Sequence, residues 1–133
     1  MAIIGAGVTL RGQTQPDSRY TFVLDSAIVA ADVGKAVAIK AGSANTVKLA
    51  GDGDLIVGRL YSFEDRSVEG GLAGLKTGAV ETRGGFLFST TGVIAIGNSV
   101  VGSATAGSVK AGTDSRNRVC EIPAAGTAVV LFL

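Results

Sequence analysis

The chain has no histidine and no tryptophan, and among 133 residues it carries one cysteine, one methionine and two prolines. Without histidine it lacks the commonest general base and the commonest metal ligand. No Ser-His or Cys-His nucleophile pair can form, and a lone thiol without imidazole does not build a zinc site. Cys120 has no partner for an internal disulfide. Close to Val119 and Ile122, it reads as a small core residue in a chain made in a reducing cytoplasm. Charge is scarce as well: charged residues make up 17% and the net charge is +1, with Lys and Arg scattered along the chain. The long-range attraction that drives nucleic-acid binding is therefore missing. No apolar run approaches the roughly 20 residues that cross a bilayer. Met1 to Leu10 lacks the basic start of a secretion signal. Thr127 to Leu133 is too short to span and fits a buried last strand.

What the chain has in quantity is small apolar residues and glycine. Apolar residues are 47% of the total, mostly Val, Ala, Leu and Ile, and there are 20 glycines. Branched side chains favour strands, and frequent Gly, Asn and Asp favour tight turns. Strands are expected near residues 20–25, 35–40, 46–50, 55–63, 77–83, 86–89, 99–103, 108–111, 118–122 and 128–133. Many short strands with turns between them predict an all-β fold, a small β-barrel or β-sandwich. One short helix at most is expected, over 26–33, with Ser26 as cap and Gly34 as stop. Residues 70–74 hold Leu72 and Ala73 between glycines and read as a loop or bulge. A mean hydropathy of +0.43 points to apolar surface covered by a partner or by self-association.

The chain divides into an N-terminal arm, 1–19, and a single β-rich domain, 20–133. The arm has an apolar tip and a polar stem, Arg11 to Arg19, without hydrophobic periodicity. Its Ile3, Ile4, Val8 and Leu10, with Arg11 and Arg19, are the candidate partner contacts, since a guanidinium holds carboxylates or backbone oxygens in a defined geometry. A faint internal repeat is also visible. Gly34-Lys35-Ala36-Val37 followed by Thr46-Val47-Lys48 is echoed by Gly97-Asn98-Ser99-Val100 followed by Ser108-Val109-Lys110, which predicts two hairpins in equivalent positions.

Several motifs suggest chemistry and give way to plainer readings. Gly5-Ala6-Gly7 resembles the start of a dinucleotide fingerprint, but Leu10 stands where the third glycine belongs and no full strand precedes it. Asp52-Gly53-Asp54 offers two carboxylates without the further ligands of a calcium loop, so it reads as a tight turn. Glu64-Asp65-Arg66 reads as a solvated loop. Lys40 lies near a hairpin, as the modified lysine of biotinyl domains does, but lacks their flanking methionines and reads as an outward strand end. Lys48 and Lys110 read likewise. No catalytic, cofactor-binding or metal-binding residue is assigned, and no cofactor is expected.

The framework Gly34, Val37, Asn45, Thr46, Val47, Leu49, Asp52, Gly53, Asp54, Gly58 and Leu60 resembles the capsid decoration, or cement, proteins of tailed bacteriophages. The likeness continues more loosely through Val80 to Phe86, the turn at Ile96 to Val100 and the apolar end. That resemblance implies a non-enzymatic, trimeric β-rich protein on the outer surface of the virion, assembled in the host cytoplasm. It would clamp neighbouring major capsid subunits of the expanded shell, with no nucleic-acid or membrane partner. The competing readings are another virion module, from a tail or fibre, and a carbohydrate-binding β-domain. The second is poorly served by seven aromatic residues, most of them in strand patterns.

Overall fold

Alternating apolar residues on short strands build a closed ring in the first half of the chain. The computed structural model describes residues 11–12, 18–65 and 75–133. Its first six strands are β1 (Arg19–Leu24), β2 (Ala36–Ile39), β3 (Thr46–Leu49), β4 (Gly58–Leu60), β5 (Glu64–Asp65) and β6 (Lys76–Glu81). The order β1-β3-β2-β4-β6 closes on itself through β1–β6, giving a five-stranded barrel with β5 added beside β6. Only β1–β3 is parallel within the ring. Leu24, Val37, Val47, Leu60 and Val80 fill the interior, joined by Ile28 from the turn after β1. Lys76 Nζ holds that turn by donating to the carbonyls of Ser26 and Ile28 at 2.8 and 2.9 Å. Strand alternation sends Ala36 and Ala38 to the outside of β2.

The second half repeats this plan. Its strands are β7 (Gly84–Ser89), β8 (Val100–Gly102), β9 (Val109–Ala111), β10 (Asn117–Glu121) and β11 (Thr127–Phe132). β7–β11, β11–β10 and β8–β9 are antiparallel, as are their counterparts β1–β6, β6–β4 and β2–β3. Thr90 bridges Val109 in the parallel sense, matching Leu24 with Val47.

The hydrogen bonds correspond residue by residue. Gly34 N–H donates to Leu60 O at 2.7 Å and Leu60 N–H to Lys35 O at 3.0 Å; Gly97 donates to Val119 O at 2.8 Å and Val119 to Asn98 O at 2.7 Å. Asp25 donates to Val47 O and Thr91 to Val109 O, both at 2.9 Å. Even the irregularity recurs: Tyr61 and Ser62 both donate to Ala79 O, while the β10–β11 register slips between Val119 and Glu121. The expected hairpin repeat is therefore the visible part of a repeated strand plan, in which only the first half is a closed barrel; the second is an open barrel of two sheets, β10-β11-β7 and β8-β9, joined by the Thr90–Val109 bridge and the Val119 bonds.

The two barrels share a boundary. Ala36, Ala38, Ala50 and Ile56 of the first belong to the core of the second, against Phe86, Phe88, Phe132, Val100, Val109 and Val130. Alanine leaves room there for three phenylalanine rings with centroids 5.6 to 6.2 Å apart, a spacing that favours edge and tilted contacts. Backbone bonds cross the boundary as well: Gly53 donates to Gly102 O at 2.9 Å, Gly102 to Asp54 O at 2.8 Å and Ala36 to Gly107 O at 3.0 Å. A Cβ on Gly102 would stand 2.1 Å from the Gly51 carbonyl oxygen, so only glycine permits this approach.

Three expectations change. The helix over 26–33 is a single 3-10 turn at Ala30–Asp32, because Val29 and Val33 adopt extended conformations on either side. The strand over 55–63 shrinks to β4, Gly58–Leu60, since residues 54–57 are irregular and a bulge follows at Tyr61 and Ser62; pairing resumes in β5, where Glu64 and Asp65 form a short strand in place of the expected loop. Arg19 lies within β1, and Ser18 accepts hydrogen bonds from Thr82, so the barrel begins earlier than the arm boundary at residue 19. The loop expected at 70–74 and the Gly5-Ala6-Gly7 motif lie outside the described residues.

Candidate contact surface

The strongest polar constellation joins three strands of the first barrel. Glu81 on β6 is paired across the sheet with Arg19 on β1 and Arg59 on β4. Its side chain is 2% exposed. Arg59 donates to Glu81 Oε1 through Nη2 at 2.6 Å and Nε at 3.2 Å. Arg19 Nε donates to Oε2 at 3.4 Å, and its guanidinium carbon stands 3.9 Å above the centre of the Tyr61 ring. A buried carboxylate without such partners would be strongly disfavoured, so the triad fixes the spacing of β1, β6 and β4. Beside it, Arg116 Nη2 donates to Thr82 O at 3.1 Å, tying the second barrel to the end of β6.

Aspartates secure the turns. Lys40 hydrogen-bonds Asp25 at 2.6 Å and holds its carboxyl below the ordinary carboxylate range. Burial pushes Asp32 upward, but the Lys35 ammonium and the Val29 N–H outweigh it and bring the carboxyl below its usual value. Asp54 behaves the same way: burial raises it, while Gly51 N–H and Lys48 lower it further. The repeat-matched Lys48 and Lys110 thus reach the same turn, Lys48 to Asp54 and Lys110 to Asp52. Burial raises the Cys120 thiol above its usual value, and its Sγ donates to Val129 O at 3.4 Å. Such a thiol is a poor nucleophile.

Apolar side chains nevertheless remain open to solvent. Ile39, 53% exposed, and Leu55, 65% exposed, rim a groove of 330 Å³ whose walls include Ile56, Val57, Asp114 and Arg116. Tyr20 is also exposed, although it lies on the β1 face that carries Phe22 and Leu24 inward. On the second barrel Val93 and Ile96 project from the loop between β7 and β8.

Of the sequence-predicted contacts, Ile3, Ile4, Val8 and Leu10 lie outside the described residues. Arg11 is exposed and bridges Gly85 in the parallel sense, while Gly12 N–H donates to Gly85 O at 2.8 Å, so this piece of chain lies along the edge of β7. Arg19 is committed to Glu81 and Tyr61 on the opposite barrel. The two arginines thus mark different barrels. Sequence reasoning missed Glu81 and Tyr20, whose only signal was their position in strands of alternating polarity. Among the described residues, no group of three His, Cys, Asp or Glu side chains could hold a metal ion. No protein-family model, curated protein or solved structure matches the chain.

Proposed function

We propose that the protein is a structural virion component that binds the outer surface of an expanded phage capsid and clamps neighbouring major capsid subunits, acting as a homo-oligomer, a trimer by resemblance. The observation that carries this reading is the role of the residues behind the resemblance. Gly34, Asn45 and Gly53 occupy left-handed turn positions at φ 98°, 53° and 79°, and Val37, Val47 and Leu60 form the barrel interior. The likeness thus falls on the scaffold, and exposed apolar side chains on that scaffold supply adhesion.

A protein that binds the expanded shell but not its precursor stabilises the expanded state through the difference in affinity. Repetition over the shell multiplies a modest contact. The reading is tested by sedimenting the purified protein with expanded and with unexpanded shells. Binding to expanded shells alone is expected; equal binding to both, or to neither, refutes it. Co-purification with DNA-filled heads that lack tails separates it from the tail or fibre reading.

A further inference from the structure

Because β1, β2, β3, β4 and β6 correspond in order to β7, β8, β9, β10 and β11, surfaces of the two halves can be compared residue by residue. Tyr20 pairs with Val80 as Phe86 pairs with Val130, so Tyr20 and Phe86 are counterparts. Phe86 is 2% exposed, beneath Phe132, whereas Tyr20 is 56% exposed. Ile39 shares a face with Val37 and is half exposed; its counterpart Gly102 is shut against Gly51. One barrel mouth is covered and the other is open.

The strand edge beside Tyr20 differs in the same way. Val23 and Asp25 turn their N–H groups toward β3, donating to Asn45 and Val47. By alternation, Arg19 and Thr21 present their main-chain groups to that side too. Of β1, only Val23 and Leu24 pair with β3, so Arg19 to Phe22 face no strand on that side among the described residues. On the second barrel the counterpart of Arg19 is Gly85, and there the edge is occupied: Arg11 and Gly12 lie on it in the parallel sense.

We propose that the Arg19–Phe22 edge of β1, with the exposed Tyr20 on it, is a strand-acceptor site for the N-terminal segment of a second copy of this chain, lying parallel to β1. Residues 3–10 suit it by composition, carrying Ile3, Ile4, Val8, Thr9 and Leu10 and no charge. Each chain has two such edges, and its own Arg11 and Gly12 take the one on β7. Arg11 is held at Gly85 and Ser18 at Thr82, both near the start of β1, so a parallel strand within one copy would require the segment to double back. A neighbour's segment meets the edge without that reversal. Main-chain bonds along the edge would supply affinity, and the apolar mouth selectivity. Exchanged reciprocally, segment-on-edge contact gives a swapped pair; passed head to tail, it gives a ring where the rotation closes. The proposal deepens the self-association in the reading above and stands whether or not a shell is bound.

The test uses full-length chains carrying Cys120→Ser. One chain with Tyr20→Cys is co-expressed with a differently tagged chain bearing Ile3→Cys, Ile4→Cys or Val8→Cys in turn, and the product is oxidised and weighed by mass spectrometry. A disulfide between the two chains is expected for at least one position. It should be lost when Thr21→Pro removes the outward N–H and retained with Thr21→Ala. Independently, Tyr20→Asp should reduce the mass in light scattering to that of a monomer while leaving the circular dichroism unchanged. A monomeric parent chain, a link formed only within one chain, no link at any position, or a link that survives Thr21→Pro in a folded chain overturns the proposal. Shell sedimentation is a separate readout, so failure of the capsid reading leaves these results distinguishable.

Discussion

Replacing Glu81 by Gln removes one negative charge from a site that holds two guanidinium groups while preserving its shape. The two bonds from Arg59, at 2.6 and 3.2 Å to a carboxylate 2% exposed, are charge-assisted and shielded from water. Together they contribute about 1.5 to 3 kcal/mol. The Arg19 pair is longer, at 3.4 Å, and that arginine side chain is 49% exposed, so it adds about 0 to 1 kcal/mol. Glu81→Gln should therefore destabilise the protein by about 1.5 to 4 kcal/mol, and at roughly 4 °C per kcal/mol for a chain of this size lower Tm by about 6 to 16 °C. Urea unfolding followed by far-ultraviolet circular dichroism measures this, with an unchanged slope against denaturant showing that only stability moved. Arg59→Ala should cost about as much, and Arg19→Ala distinctly less. A loss below about 0.5 kcal/mol for Glu81→Gln, or a larger effect at Arg19 than at Arg59, would refute the assignment of the buried triad as the clamp between β1, β6 and β4.

Asp25, Asp32 and Asp54 all titrate below their ordinary value in the folded chain. Their contribution to stability is present above about pH 4 and disappears as pH falls through the lowered folded values. Asp32→Asn should flatten the acid limb of stability against pH, and an unchanged limb would remove Asp32 from the account. Gly107→Ala should cost more than Gly53→Ala in chemical denaturation: both sit at positive φ, a penalty of about 1 to 2 kcal/mol, but only at Gly107 does the new Cβ approach Lys35, at 2.8 Å from its Cδ. Equal losses would mean that Lys35 moves aside freely. The half-buried Cys120 thiol should react more slowly with a disulfide reagent at pH 7 in the folded protein than in the unfolded one, and equal rates would contradict the effect of its partial burial.

Turn chemistry made the fold readable from the residues. Gly34, Asn45, Gly53 and Gly97 mark left-handed positions that few other residues tolerate, and the branched residues between them can hardly be anything but strands. The hairpin half of the repeat was visible because Gly34 and Gly97 keep the same distance from Val37 and Val100. The rest was hidden because matching core positions need only apolar volume: Leu60 answers to Val119 and Ile28 to Ile94. The broken strand at Tyr61 and Ser62 escaped notice since a bulge changes register without changing composition. Tyr20 could not be picked out, because an inward-pointing aromatic residue looks the same in sequence whether its barrel mouth is covered or open. The cluster of Phe86, Phe88 and Phe132 depends on Ala36 and Ala38 from another strand, a pairing that only three-dimensional packing discloses.

The alanine-faced flank of β2 carries a consequence for biogenesis. The ring from β1 to β6 is complete once Glu81 has been synthesised, so the first barrel can close on the ribosome before any strand of its successor emerges. Its outer wall, faced by Ala36 and Ala38, is the surface against which the three phenylalanine rings pack. Lesions in the early barrel should accordingly spoil maturation of the later one, whereas lesions confined to β8 to β11 should leave the early barrel formed and trypsin-resistant.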